Sequence, residues 1–308
     1  MNARNPERRR PVYHNPVMLK ECIEALHINP DGTYVDVTYG GGGHSQALLA
    51  CLNNGRLLAF DQDPQAHEQK IDDPRLTLIH ANFKHLKRFL QFHKAFPVDG
   101  ILADLGISSH QIDCAERGFS TRYDAALDMR MNSEKGISAA DVLNQYAEKE
   151  LSRIFWEYGE LKNARKIAGT VLKARQENPI KTTFQLMDIL KPFAPKAQEN
   201  KFFAVVFQAL RIEVNQELEA LRSFLAQTPE ALNPGGRLVV MSYHSLEDRP
   251  VKNFMKSGNF EGEIEKDFYG NPLTPFKKIT GKPVTASEEE LQTNPRARSA
   301  KLRIAEKK

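Results

Sequence analysis

Short apolar runs closed by turn-forming residues recur along the first hundred positions, at 33–38, 56–60, 76–80 and 99–103, and once more at 237–242. Runs of that length predict β-strands. Helix-sized segments at 45–52 and 64–70 separate the early strands, so the rhythm is strand, helix, strand, which implies a parallel sheet with right-handed crossovers. After Asp104 the rhythm breaks. Between about 111 and 200 the patterning predicts helices only, at 139–157, 162–176 and 183–190, punctuated by Pro179, Pro192 and Pro195. A long amphipathic helix follows, with Phe207, Leu210, Val214, Leu218, Leu221 and Leu225 three or four residues apart. Asn233-Pro234-Gly235-Gly236 then turns the chain into the strand RLVVMS, and Leu302 and Ile304 alternate with charged neighbours as on a half-exposed edge strand. The two halves of the sheet therefore flank a helical insertion. The predicted fold is α/β, a Rossmann-like sheet, with residues 1–110 and 204–308 forming one discontinuous domain and 111–203 an inserted helical domain.

Composition changes this picture little. At 308 residues, 41% hydrophobic and 27% charged, the chain reads as globular. A net charge of +4 makes any nucleic-acid surface local, and Arg8-Arg9-Arg10, the stretch 165–175 and the stretch 296–303 are its candidates. Cys22, Cys51 and Cys114 are odd in number and lack C-x-x-C spacing, which argues against a disulfide framework and against zinc. The basic N-terminus has no apolar segment behind it, and the longest apolar run, 202–207, is too short to span a bilayer; the expectation is a cytoplasmic protein without membrane contact.

Candidate chemistry concentrates in YVDVTYGGGGHS (34–45) and in Asp61, which closes GRLLAFD. A strand that ends in a glycine loop and runs into a helix brings backbone amides close to a ligand, and an acid at the tip of the second strand can grip ribose hydroxyls. A dinucleotide site would require a third glycine, which is missing here, and Asp36 would repel a pyrophosphate while suiting a cationic amino-acid group. S-adenosylmethionine carries that group and an adenosine, and is favoured over a nicotinamide cofactor.

Taken together, YHNPVML, DVTYGGGGHS, AFDQDP, ILADLGISSHQID, ERGFS with LDMRM, FQALRIEVNQEL, LNPGGRLVVMSYHSLEDR and NPRARSAKLR, in that order, resemble the RsmH/MraW family of bacterial small-subunit ribosomal RNA (cytosine-N4)-methyltransferases over nearly the whole chain. The resemblance implies Gly42, Gly43 and His44 as cofactor-loop positions, Asp61 as the ribose acid, Phe83 as an adenine neighbour, and Asp104 and Gln111 as the far wall of the pocket. It implies a class I methyltransferase sheet, with 16S ribosomal RNA as partner, within the small ribosomal subunit; monomer and homodimer both stay open. The chain departs from the family pattern at Thr121, where Phe is usual, and at Ala125-Ala126, where Gly-Pro is usual.

The exocyclic amine of cytosine is a weak nucleophile, and an acceptor on its N–H localises the lone pair. Asp104, in the Asp104-Leu105-Gly106 turn, is the first candidate acceptor, and His244 in SYHSLEDR is a second catalytic candidate that contacts base or phosphate or is satisfied within its loop. Arg165, Lys166, Lys173 and Arg175 share one helix that would clamp the RNA. His244, Glu247 and Asp248 are metal-ligating types, but the reaction requires no Lewis acid and no metal is expected. A nicotinamide-dependent oxidoreductase and a non-catalytic ribosome-assembly factor are the competing readings.

Overall fold

The computed structural model describes residues 16–68 and 70–308; the Arg8-Arg9-Arg10 cluster and the first residues of YHNPVML lie outside them. Among the described residues, seven strands form one sheet: β1 Thr33–Asp36, β2 Arg56–Asp61, β3 Leu76–His80, β4 Val98–Asp104, β5 Leu232–Ser242, β6 Phe276–Lys278 and β7 Lys301–Lys307, in the order β3-β2-β1-β4-β5-β7-β6. β1 to β5 run parallel and β7 runs antiparallel to β5. The order reverses beside β1, between β1 and β4, and in an open parallel sheet the crevice at that switch point, outside the carboxyl ends of the strands, is where ligands bind.

The five parallel strands fall where the apolar runs predict them because strands covered on both faces need near-continuous apolar side chains. One face packs through Val35, Leu58, Phe60, Ile101 and Val240 against Leu221, Phe224 and Leu225 of the helix Glu217–Ala231. The other packs through Tyr34, Leu57, Leu102 and Val239 against the helices Leu19–Leu26 and Gly43–Ala50. A separate apolar cluster joins the helices between Ala139 and Asn215, with Phe155, Ile167, Leu186 and Phe203 at its centre.

Several elements differ from the sequence expectation. The segment 139–157 is two helices, Ala139–Gln145 and Glu148–Glu157, parted by the extended Tyr146 and Ala147. The long amphipathic helix is also two, Glu199–Asn215 and Glu217–Ala231, broken at Gln216, which adopts a left-handed conformation with φ +50°. The first belongs to the helical cluster and the second to the sheet, so the single apolar stripe serves two cores. Asn233 to Gly236 is a bulge inside β5, since Val98 pairs with Leu232 and Gly100 already with Arg237. Asp99 pins that bulge by accepting from Asn233 Nδ2 at 2.9 Å and from the Thr33 amide at 2.8 Å. β7 is not an edge strand: the three-residue β6, which the patterning missed, pairs with its outer side, and Leu302 and Ala305 are fully buried. At the family departure Ala125-Ala126, Ala126 bridges Thr182 and the Ala125 carbonyl accepts from the Thr183 amide, which ties the loop to the helical cluster.

Candidate active site

A cavity of about 1030 Å³ opens at the carboxyl ends of β1, β2 and β4 and is closed on its far side by the loop after β5. The glycine loop forms its floor. Gly40 and Gly42 both have positive φ, +51° and +77°, and Gly42 starts the helix Gly43–Ala50. Gly40, Gly41, Gly43 and His44 line the cavity, whereas Gly42 does not. A Cβ on Gly42 would stand 2.8 Å from the Tyr39 hydroxyl, and one on Gly43 would stand 2.3 Å from Pro16 Cγ. Glycine is therefore required at both positions by packing of the protein on itself, which holds the turn in the shape that exposes its backbone.

Asp61 sits at the tip of β2, and its carboxylate accepts from the Gly40 amide at 2.8 Å and from the Asp63 amide at 2.8 Å. Burial pushes its pKa up to about 6 in spite of those two bonds. Phe83 opens the turn after β3, meets Phe224 edge-on at 5.5 Å, and lines the cavity beside Asn82. Gln111, on the helix Ser109–Asp113, is buried; it accepts from the Ser108 amide and donates to Asp63 Oδ2 at 2.8 Å. Asp63 is itself buried, with Arg117 Nη1 3.0 Å from Oδ2, and Arg117 Nη2 donates to the carbonyls of Arg130 and Met131. This Asp63–Gln111–Arg117 network binds the loop at 115–131 to the cofactor side of the cavity, and the sequence reading missed it although AFDQDP and ERGFS contain its residues.

Asp104 ends β4. Its amide donates to Thr38 Oγ1 at 2.7 Å, its Oδ1 accepts from the Tyr243 hydroxyl at 2.7 Å, and its Oδ2 lies 3.8 Å from His44 Nδ1. Burial raises the Asp104 pKa to about 6, opposed by His44 and by the Tyr243 hydrogen bond. His44 Nε2 lies 3.0 Å from the Val17 carbonyl; a carbonyl only accepts, so Nε2 carries the proton and Nδ1 faces Asp104. Asp36 does not play the part assigned to it from sequence. It is 1% exposed, accepts from Ser45 Oγ at 2.7 Å and from the Thr38 amide at 3.0 Å, and does not line the cavity, so it braces the strand-to-loop turn while Asp104 is the acid that faces the space.

The far wall is the start of the helix Ser245–Ser257. Glu247, buried, accepts from the Tyr243 amide at 3.0 Å and lies with Oε1 3.1 Å from His244 Nε2; although burial opposes ionisation, His244 and Arg211 hold its pKa below the ordinary glutamate value. Arg211, on the helix Glu199–Asn215, also lines the cavity and grips Glu217 with two bonds of 2.8 and 3.0 Å.

Of the basic residues expected to hold RNA, Arg165 is 90% exposed, but Arg175 donates to the carbonyls of Leu143 and Tyr146 and Arg296 pairs with Asp113 at 3.0 Å. Among the described residues, no group of three or more His, Cys, Asp or Glu side chains is placed to hold a metal, and no helix is long and apolar enough to cross a membrane.

A parallel Rossmann order closed by a reversed strand, with a glycine loop after β1 and an acid at the tip of β2, defines an S-adenosylmethionine-dependent methyltransferase of class I. The family model described as the MraW methylase family matches residues 11–308, and the chain belongs to that family. It is 58% identical over 296 residues to the ribosomal RNA small subunit methyltransferase H of Christiangramia forsetii, covering 96% of this chain and 98% of the relative. It is 56% identical over 298 residues to the protein of the same name from Bacteroides thetaiotaomicron, again covering 96% and 98%. Among solved structures, an rRNA methylase from Streptococcus thermophilus aligns over 94% of this chain and 93% of its own, at 12% identity and a TM-score of 0.41.

Proposed function

We propose that this enzyme methylates the exocyclic N4 amine of one cytidine in bacterial small-subunit (16S) ribosomal RNA, in the cytoplasm, with the RNA held by the helical segment 111–203. The observation that carries the reading is Asp104, an acid at the carboxyl end of the switch-point strand, fixed by Tyr243 and set between the glycine loop and the loop of His244. Relatives named for small-subunit ribosomal RNA, matched end to end, support the substrate.

The residues present fit the cofactor. The cradle at Gly40, Gly41 and Gly43 is backbone that approaches the cavity, and Asp61 spends one lone pair of each oxygen on an amide, leaving acceptors for a ribose diol. Phe83 has its ring against Phe224 edge-on, so a face is available to a purine. Asp104 and Gln111 complete the wall, Asp104 offering charge to an ammonium. S-adenosylmethionine supplies an electrophilic methyl group on a sulfonium. The chain's part is to align the amine with that methyl, to exclude water, and to accept the proton the amine gives up.

Calorimetric titration with S-adenosylhomocysteine and with NAD separates this reading from an oxidoreductase: binding of the first alone is expected. Mapping modified nucleotides in small-subunit ribosomal RNA from a strain lacking the protein, before and after incubation with purified enzyme, tests the substrate. The absence of any restored N4-methylcytidine overturns the proposal.

A further inference from the structure

The helix Glu199–Asn215 brings two polar side chains to the cavity one turn apart, Gln208 and Arg211, both within the motif FQALRIEVNQEL. Residues three apart on a helix share a face. Arg211 spends Nε and Nη2 on Glu217, at 2.8 and 3.0 Å, and its side chain is 12% exposed. Gln208 Nε2 lies 3.4 Å from the Tyr158 carbonyl; a carbonyl only accepts, so the amide nitrogen is turned to it and Oε1 is left over. Among the described residues neither Arg211 Nη1 nor Gln208 Oε1 has a hydrogen-bond partner, and neither is closed off from solvent. Both ring nitrogens of His244, by contrast, are buried. Asn215, on the same helix, donates to the Met129 carbonyl and accepts from the Met131 amide, which fixes the helix against the loop that Arg117 anchors.

The charge around Arg211 decides what its free Nη1 can take. Glu217 neutralises the guanidinium through two bonds. Against the opposing effect of burial, His244 and Arg211 keep Glu247 ionised, which adds a second negative charge. That leaves no surplus positive charge for a phosphate, so the partner that fits Nη1 is an uncharged acceptor. A donor and an acceptor on one helix face match the pairing edge of cytosine, which presents a donor at N4 beside acceptors at N3 and O2. Uracil presents the reverse at two of these positions, an acceptor at O4 and a donor at N3, and a site built on hydrogen bonds rejects such a mismatch because its own polar groups are left unpaired. Leu105, Ile107 and Met131 line the same cavity and supply apolar surface for the faces of the ring. Resting on the methyltransferase reading above, we propose that Gln208 and Arg211 form the subsite that selects cytosine, Gln208 Oε1 accepting from the N4 amine and Arg211 Nη1 donating to the N3/O2 side. Glu217 is a positioning residue that holds the guanidinium. The bond to Oε1 also draws on an N–H of the amine, which localises its lone pair for attack.

The test uses the full chain saturated with S-adenosylhomocysteine and titrated with CMP and with UMP, alongside Arg211→Met, Gln208→Met and Gln208→Glu. Wild type should prefer CMP by roughly tenfold or more, a bidentate pair's worth of discrimination. Arg211→Met and Gln208→Met should bring the two nucleotides together, with S-adenosylhomocysteine affinity unchanged. Gln208→Glu separates recognition from a structural role: it loses the same contact with the Tyr158 carbonyl as Gln208→Met but keeps an acceptor, so it should retain the CMP preference. Methylation of ribosomal RNA from the strain lacking the protein should fall in kcat/KM by on the order of tenfold or more in both Met variants. Where Arg211→Met does not fold because Glu217 loses its partner, the double change Arg211→Met with Glu217→Gln is measured in its place. A wild type that does not distinguish CMP from UMP, whether it takes up both or neither, overturns the subsite. So do Met variants that keep the preference, a Gln208→Glu that loses it, and an equal loss of CMP and UMP, which marks a phosphate contact. Failure of the function itself has a different mark: wild type that binds S-adenosylhomocysteine and transfers no methyl to that RNA.

Discussion

The Tyr243 hydroxyl donates a 2.7 Å hydrogen bond to Asp104, joining the loop after β5 to the tip of β4 on one side of the switch-point crevice. Burial and the Asp104 charge push the Tyr243 pKa up, so the phenol stays protonated and acts only as donor to that carboxylate at neutral pH. The bond favours the ionised form of an acid that burial otherwise drives toward neutrality. Asp61, the second acid on the cavity, is shifted in the same direction by the same cause.

Cofactor affinity should therefore depend on pH. With both acids titrating near 6, S-adenosylhomocysteine binding should strengthen as pH rises from 5 to 7 and level off above, because the ionised carboxylates are the forms that hold an ammonium and a ribose diol. Tyr243→Phe should move the midpoint upward, and Asp104→Asn should flatten the part of the curve that Asp104 contributes. Calorimetry across that range decides; a flat wild-type curve would show that neither acid meets the ligand.

The ligand-free protein should respond in the opposite sense. Both folded-state pKa values lie above the ordinary aspartate value of 3.8, so their contribution to stability is fully present below about 3.8 and is lost as pH rises through about 6. The loss is on the order of 3 kcal/mol per group before solvent screening of the partly exposed side chains. Asp61→Asn should reduce the fall in denaturation midpoint between pH 4.5 and 7, and an unchanged fall would assign the titration elsewhere.

Gly43→Ala should weaken cofactor binding by more than tenfold while the sheet still folds. Its Cβ would overlap Pro16 at 2.3 Å, and relief requires the loop or the segment at Pro16 to move. Gly42→Ala adds left-handed strain of about 1 kcal/mol and a clash with the Tyr39 hydroxyl at 2.8 Å, so its melting temperature should drop further. Equal ligand affinities for wild type and Gly43→Ala would mean that the loop backbone is not the cradle.

Arg117→Met should be severely destabilising, by about 3–5 kcal/mol, since it strands the buried Asp63 carboxylate and two carbonyls. The double change Arg117→Met with Asp63→Leu should recover part of that stability. Denaturant unfolding of the pair measures the difference, and a loss under 1 kcal/mol for the single change would show that water replaces the guanidinium.

Arg165 and Arg175 should behave differently though they share a helix. Arg165→Ala should reduce the salt slope of RNA binding by about one unit and leave stability alone, as expected for an exposed phosphate contact. Arg175→Ala should lower the melting temperature and leave the slope alone, because its guanidinium holds the carbonyls of Leu143 and Tyr146. An unaltered slope for Arg165→Ala places the RNA on another face.

The sequence by itself determined the five parallel strands, the helical character of the insertion and the place of the glycine loop. Each of these is written locally, in apolar runs, in helical periodicity and in residues such as Gly40 that permit positive φ. Family membership was legible for the same reason, as long motifs in fixed order. What only the tertiary structure decided is where neighbours across the fold compete for one group. Asp36 and Asp104 are both acids at strand tips, but Ser45 and Thr38 occupy the first and Tyr243 leaves the second open to the cavity. The break at Gln216 carries neither Pro nor Gly; it exists because the stripe before it packs in the helical cluster and the stripe after it on the sheet. β7 lost its edge position to a strand of three residues, too short to have periodicity of its own. The pairs Glu217–Arg211 and Glu247–His244 were likewise beyond the sequence: hydrogen bonds and charge act over a few ångströms of space, and hydrophobic patterning specifies which face is buried, not which partner waits there.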